Sequence, residues 1–187
     1  MRQEHILERE LIERAKQRDM EAFEILVRRY HRSIYYLCHR MSGAHQTADD
    51  LSQEAFIKAY MSLSSFKDGM SFFSWLRKIT VNNNLNYLKA NKREGLLGDR
   101  ENMIPENASS TDHELPLDKL QKKRIEQNLK KALNALPVDQ RIVFILRFYE
   151  DQSYKEIANI LGLRVGTVMS RLSRARTKLK TLLADYM

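Results

Sequence analysis

The sequence predicts an all-α protein of two small helical domains joined by a flexible acidic linker, with a helix-turn-helix in the C-terminal domain. Three observations predict it. The 187 residues include only 6 Gly and 3 Pro, fewer turn-formers than a β-sandwich needs. Apolar residues recur at spacings of three and four along most of the chain, the period of amphipathic helices. Finally, the net charge of +8 is unevenly divided: residues 1–93 carry +5, residues 94–118 carry −6 and residues 119–187 carry +9. The acidic stretch also holds Gly95, Gly98, Pro105, Pro116 and the run Asn107-Ala108-Ser109-Ser110-Thr111, the composition of a linker rather than of a packed element. The domains are therefore expected at 1–93 and 119–187, and no internal repeat relates them.

The same composition excludes several classes. The longest unbroken apolar stretch, from Ile142 to Leu146, is far short of the roughly 18 to 20 residues that a bilayer span requires, so membrane insertion is not expected. Residues 1–13 mix Glu with Arg and lack the apolar core of a secretory signal. A lone Cys38 excludes an intramolecular disulfide and suits a reducing cytoplasm.

In the first domain, Phe23, Leu26, Val27, Tyr30, Ile34, Leu37, Cys38 and Met41 predict an amphipathic helix over 20–41. A second helix over about 47–63 puts Ala48, Leu51, Ala55 and Ala59 on one side, with Asp49, Asp50, Gln53 and Glu54 on another. At 100° per residue those four polar positions share an arc of about 140°. They form either a solvated face whose acids sit at a helix N-terminus or a docking surface for a basic partner.

Residues 66–87 then hold Phe66, Phe72, Phe73, Trp75 and Tyr87, with Lys67, Arg77 and Lys78 among them and Asn82, Asn83, Asn84 and Asn86 following. Asn is a mediocre helix former, so four in five positions require a reason. Aromatic faces stack on bases, cations hold phosphates and amides bond base edges, a mixture suited to single-stranded or melted nucleic acid. Core burial of these aromatics, Phe72 with Leu76 and Ile79 above all, is the competing reading. His31, Cys38 and His39 share a helical face, but a fourth zinc ligand is missing and an apolar stripe explains Cys38. No metal is expected.

In the second domain, Leu120, Ile125, Leu129, Leu133 and Leu136 predict a helix ending at Pro137, and Ile142, Ile145, Leu146 and Tyr149 the next. Ser153 and Glu156 form a capping box. The helix it opens stops at Gly162, so that residues 154–173 match a helix-turn-helix, with Ala158 where the helices meet and Ile157, Leu163 and Val168 in their shared core.

The helix after that turn has two distinct faces. With Val168 at zero, Leu172, Ala175, Leu179 and Leu182 fall within about 40° of it, and Ser170, Ser173, Arg174 and Thr177 lie opposite. Arg171 and Lys178 flank these on one edge, Arg176 and Lys180 on the other, and no acid occurs over 157–184. Small hydroxyls let a helix enter the major groove, and basic shoulders reach both phosphate strands. Arg174 is the candidate for a guanine contact, with Ser170 and Ser173 beside it; Arg171, Arg176 and Lys178 are candidates for phosphates.

Three strings then carry a resemblance. Asp49-Asp50-Leu51-Ser52-Gln53-Glu54-Ala55-Phe56-Ile57-Lys58-Ala59-Tyr60, Phe72-Phe73-Ser74-Trp75-Leu76-Arg77-Lys78-Ile79, and Val165-Gly166-Thr167-Val168-Met169-Ser170-Arg171 with Arg174-Ala175-Arg176 resemble the extracytoplasmic-function group of the bacterial sigma-70 family. The match runs in order over nearly the whole chain apart from the linker. It implies a cytoplasmic, non-catalytic subunit, without cofactor or small-molecule substrate, that binds core RNA polymerase and directs it to promoter DNA.

By this resemblance Asp50, Gln53 and Glu54, with Asp49 beside them, match positions that dock on the polymerase clamp. Residues 66–84 match the segment that melts the minus-ten element. They include Phe66, Phe72, Trp75, Arg77, Lys78, Asn82 and Asn83. Residues 166–176, with Thr167 and Met169 among them and Lys178 just beyond, match the helix that reads the minus-thirty-five element. Relatives often carry Arg or Lys where this chain has Met169, and some an aromatic at Ser173, so the promoter sequence is not transferable. The family also implies an anti-sigma factor.

The span is feasible. About 17 base pairs separate such elements by roughly 60 Å, and the 25 residues of 94–118 extend to about 85 Å. The principal alternative is a helix-turn-helix regulator that is not a polymerase subunit, which has no need of the acidic helix and the aromatic, Asn-rich segment. A nucleic-acid enzyme would need a phosphate-cradling Gly loop, a nucleophile elbow or a carboxylate cluster with metal-ligand spacing, and the sequence has none.

Overall fold

In a computed structural model of the chain, residues 2–67, 69–93 and 116–184 are described. All regular structure among them is helical. The chain divides into two compact units, Met1–Ala90 and Asn91–Met187.

The first unit contains α1 (Arg2–Lys16), α2 (Met20–Ser42), α3 (His45–Ser62), a 3-10 turn (Leu63–Ser65) and all but the last three residues of α4 (Phe72–Arg93). Helix α1 has no counterpart among the sequence-based elements. It is anchored by Leu11, Ile12 and Ala15 near its C-terminal end, and Tyr30 on α2 donates its hydroxyl to Glu8. Asp19 starts α2 by accepting from the Ala22 N–H at 3.1 Å, a cap that satisfies an otherwise orphaned donor. Gly43 stops it at φ 82°, and its N–H bonds the His39 carbonyl; the left-handed region is open to glycine without a Cβ clash.

The expected apolar stripe of α2 is realised by Phe23, Leu26, Ile34, Leu37, Cys38 and Met41, all buried. Ala48, Ala55 and Ala59 with Leu51 and Phe56 form the buried side of α3. Phe72, Leu76, Val81 and Leu88 carry the core along α4.

The second unit contains α5 (Pro116–Asn134), α6 (Val138–Phe148), α7 (Tyr154–Leu161) and α8 (Val165–Leu183). Helix α5 begins three residues before the domain start expected at 119, because Pro at a first helical position supplies a preset φ and lacks an N–H that would have no partner there. The rest of the expected linker lies outside the described residues.

The Ser153–Glu156 capping box is present in both directions: Ser153 Oγ accepts from the Glu156 N–H at 3.2 Å, and the Ser153 N–H donates to Glu156 at 2.7 Å. Gly162 turns the chain at φ 64°. Helix α8 then packs Val168, Leu172, Ala175 and Leu179 inward, the stripe its periodicity predicts. Ala175 and Leu179 meet Ala132, Leu133 and Leu136. Among the described residues no helix is long and apolar enough to cross a membrane.

Candidate partner and nucleic-acid interfaces

Helix α3 carries the acidic face. Its first residue is His45, so Asp49 and Asp50 lie in the second turn, beyond the N-terminal amides whose dipole was one explanation for them. Asp49, Asp50, Gln53 and Glu54 are all exposed. They differ in their surroundings. Lys58 Nζ lies 2.6 Å from Glu54 Oε1, and Asn83 Nδ2 on α4 donates to Glu54 Oε2 at 3.0 Å. Lys58 also donates to Asn83 Oδ1. These bonds, Lys58 first and Asn83 second, hold the Glu54 carboxyl below the usual carboxylate range. Glu54 thus ties α3 to α4, whereas Asp50 and Gln53 face solvent.

The aromatic segment divides into core and surface. Phe66 and Phe72 are buried. With Trp75 they form a triangle of ring centroids 5.4 to 5.7 Å apart, spacing at which tilted and edge-on pairs attract. Trp75 remains half-buried. Phe73 stacks on Tyr30 at 5.3 Å, with planes 13° apart, and the Arg77 guanidinium lies 4.4 Å from the Phe73 centroid, a cation–π distance.

Four of the residues expected at the minus-ten surface are therefore enclosed: Phe66 and Phe72 by the apolar core, Arg77 by Phe73, and Asn83 by its bonds to Glu54 and Lys58. Lys78 is half-buried and Asn82 exposed. The Asn run divides in the same way. Asn84 donates to Thr80 O at 2.9 Å and toward Cys38 Sγ at 3.2 Å, inside the helix bundle, whereas Asn82 and Asn86 face solvent. Burial accordingly pushes the Cys38 thiol up to about 11. His31 stacks its ring on Tyr35 and Phe56.

On α8, the exposed side holds Met169, Ser170, Ser173, Arg174, Arg176, Thr177 and Lys178, with Thr167 half-buried. Arg174 folds back along the helix, its Nε 3.3 Å from the Ser170 carbonyl and a terminal nitrogen 3.3 Å from Ser170 Oγ. Ser170 Oγ in turn donates to the Thr167 carbonyl at 3.0 Å. Arg176 rests 5.2 Å over the Phe148 ring. Arg171 is not a free shoulder: it is ion-paired at 3.0 Å with Asp139 at the start of α6. Asp139 lies outside the acid-free stretch 157–184, since the partner comes from another helix.

Comparison with known proteins follows the same division. Residues 26–94 match the model of sigma-70 region 2 and residues 126–179 that of sigma-70 region 4. The chain is 36% identical over 177 residues to the ECF RNA polymerase sigma-E factor of Escherichia coli K12, covering 92% of each chain. It is 33% identical over 191 residues to the sigma-E factor of Haemophilus influenzae, covering 98% of this chain and 99% of the relative. The chain belongs to the extracytoplasmic-function group of the sigma-70 family. It is a promoter-recognising sigma factor of RNA polymerase. The solved structure of the sigma factor RpoE from Bartonella quintana, in complex with the anti-sigma factor NepR, is similar at a TM-score of 0.64 and 30% identity. It covers 87% of this chain and 96% of that one.

Three residues of this sigma factor bear on the candidate surfaces in roles that the sequence reading did not assign them. Lys58 completes the Glu54–Asn83 contact, Asp139 holds Arg171, and Tyr30 carries the stack under Arg77. For α4 a usable signal existed: Phe72, Leu76, Thr80, Asn83, Asn84 and Leu88 recur at three and four, so Thr80, Asn83 and Asn84 stand in an apolar register.

Proposed function

We propose that this sigma factor docks on core RNA polymerase through α3, with Asp50 and Gln53 in direct contact and Asp49 and Glu54 at the margin. In this reading Trp75, Lys78 and Asn82 on α4 hold the melted minus-ten strand. Phe66, Phe72, Arg77 and Asn83 form the packed base that positions them. Helix α8 reads the minus-thirty-five element as duplex, through Ser170, Ser173 and Arg174, flanked by phosphate contacts from Thr167, Arg171, Arg176 and Lys178. Residues 94–118 serve as the tether between domains 1–93 and 119–187. The factor acts in the cytoplasm, has no catalytic role or cofactor of its own, and is held inactive by an anti-sigma factor, as the Bartonella complex suggests by analogy.

The observation that carries this reading is the exposed side of α8. A row of small hydroxyls and Arg174 faces solvent between basic residues while Val168, Leu172, Ala175 and Leu179 of the apolar stripe are buried, the form of a major-groove reader. Two variants test the assignment. Asp50→Lys should lose core-polymerase binding and retain binding to an isolated upstream duplex; Arg174→Ala should do the reverse, losing about 1–3 kcal/mol on the specific duplex. Equal loss of specific and random duplex binding by Arg174→Ala would make it a phosphate contact, and unchanged polymerase binding by Asp50→Lys would remove α3 from the docking surface.

A further inference from the structure

Met169 is 53% exposed on the second turn of α8, an apolar side chain on the flank of an otherwise polar and basic surface. The residue one turn before it, Val165, is also exposed, so the pair forms a short apolar edge at i and i+4. The neighbouring polar groups are largely committed. Ser170 Oγ donates to its own helix, and Thr177 Oγ1 does the same toward the Ser173 carbonyl at 3.2 Å. Arg176, the nearer along the helix of the two cations on the same flank as Met169, lies over Phe148. Arg174 projects from the opposite flank of the hydroxyl row. At the N-terminal turn a Cβ built on Gly166 would meet nothing within 4 Å, so a base pair can approach this end closely.

In the major groove only thymine presents a methyl group, and apolar side chains distinguish it by contact. A methionine is suited to this, being unbranched and polarizable. Resting on the reading of α8 as the minus-thirty-five reader, we infer that Met169 is a specificity-determining residue that contacts the 5-methyl of a thymine in that element. Met169 and Arg174 are five residues apart, about 7.5 Å along the helix, or roughly two base-pair steps. The thymine therefore lies within about two to three base pairs of the guanine that Arg174 reads, on either strand.

The experiment uses the full chain with core RNA polymerase. The holoenzyme selects duplexes from a library randomised over the upstream element, and each enriched thymine is then replaced by deoxyuridine, which removes the methyl and keeps the pairing and acceptor pattern. One replacement within three base pairs of a guanine should weaken wild-type binding about fourfold, the factor expected for one methyl withdrawn from water. Met169→Ala should bind the thymine and uracil duplexes equally, and Met169→Leu should restore the preference. Met169 is exposed, so neither change opens a cavity in the core.

Uracil and thymine bound equally by the wild type at every position would overturn the inference, as would a uracil penalty undiminished in Met169→Ala. An equal loss by Met169→Ala on both duplexes, together with weaker binding to polymerase without DNA, would place Met169 on a protein contact and also overturn it. No enriched sequence in the wild-type selection would instead refute the reading of α8 itself, and the inference with it.

Discussion

Asn83 on α4 donates its Nδ2 hydrogen to Glu54 Oε2 on α3 at 3.0 Å, joining a residue of the proposed minus-ten segment to one of the proposed docking face. The amide is only 5% exposed, and its oxygen accepts from Lys58. A buried amide with satisfied donor and acceptor adds specificity to packing, and one stripped of its partner leaves a cost behind.

Asn83→Ala should therefore lower stability by about 1–3 kcal/mol, read from the denaturant midpoint of the transition that involves the N-terminal unit. Asn83→Asp should be worse than Ala near neutral pH, because it sets a carboxylate against Glu54. An Ala variant of wild-type stability would mean that the contact contributes nothing.

Glu54 also supplies a pH dependence. Lys58 and then Asn83 depress its folded pKa, so the unfolded chain takes up a proton at higher pH than the folded one. The stabilisation is complete above the ordinary carboxylate range and is lost as pH falls through the lower folded value. Unfolding of wild type and Glu54→Gln from pH 3 to 7 should show a gap that is present near neutrality and shrinks on acidification. A gap that widened toward low pH would have the wrong sign. The side chain is about half exposed, so the gap should be small and sensitive to salt.

Cys38 is fully buried, and burial pushes its thiol up to about 11. The thiolate is the reactive form, so native protein at pH 8 should resist a thiol reagent that modifies the denatured chain promptly. Labelling at equal rates in the two states would contradict the buried placement beside Asn84.

The phosphate contacts proposed for α8 should be unequal. Arg171 already faces Asp139 at 3.0 Å, whereas Lys178 is exposed. Lys178→Ala should lower the dependence of log K on log salt by about 0.9 for the one phosphate it releases. Arg171→Ala should change the slope less, and Asp139→Asn should raise the contribution of Arg171. These are measured as affinity for an upstream duplex across a salt series.

Much of the fold is legible along the sequence because its determinants are local. The α2 stripe, the Ser153 box, the Gly162 turn and the buried side of α8 all lie within a few residues of the groups that define them. What escaped is set by distant partners. Asn83 meets Glu54 and Lys58 from 29 and 25 positions away, and Asn84 meets Cys38 from 46. Periodicity alone does not reveal which polar side chain fills a core position. Helix α1 has no counterpart among the sequence-based elements although Leu7, Leu11 and Ala15 recur at spacings of four; charged residues fill the positions between them, and of its described side chains Leu11, Ile12 and Ala15 are buried. Phe66 and Phe72 carried both a core and a stacking reading, and packing against Trp75 assigns them to the core.

The most direct measurement is transcription reconstituted from the purified chain, core RNA polymerase and linear DNA from its own genome, with transcript starts mapped. The chain should direct initiation from a small set of discrete sites, and Asp50→Lys should abolish these starts while the core's unspecific background remains. Discrete starts that needed no added chain, or a chain that bound the same DNA yet left core initiation unspecific, would contradict a sigma factor.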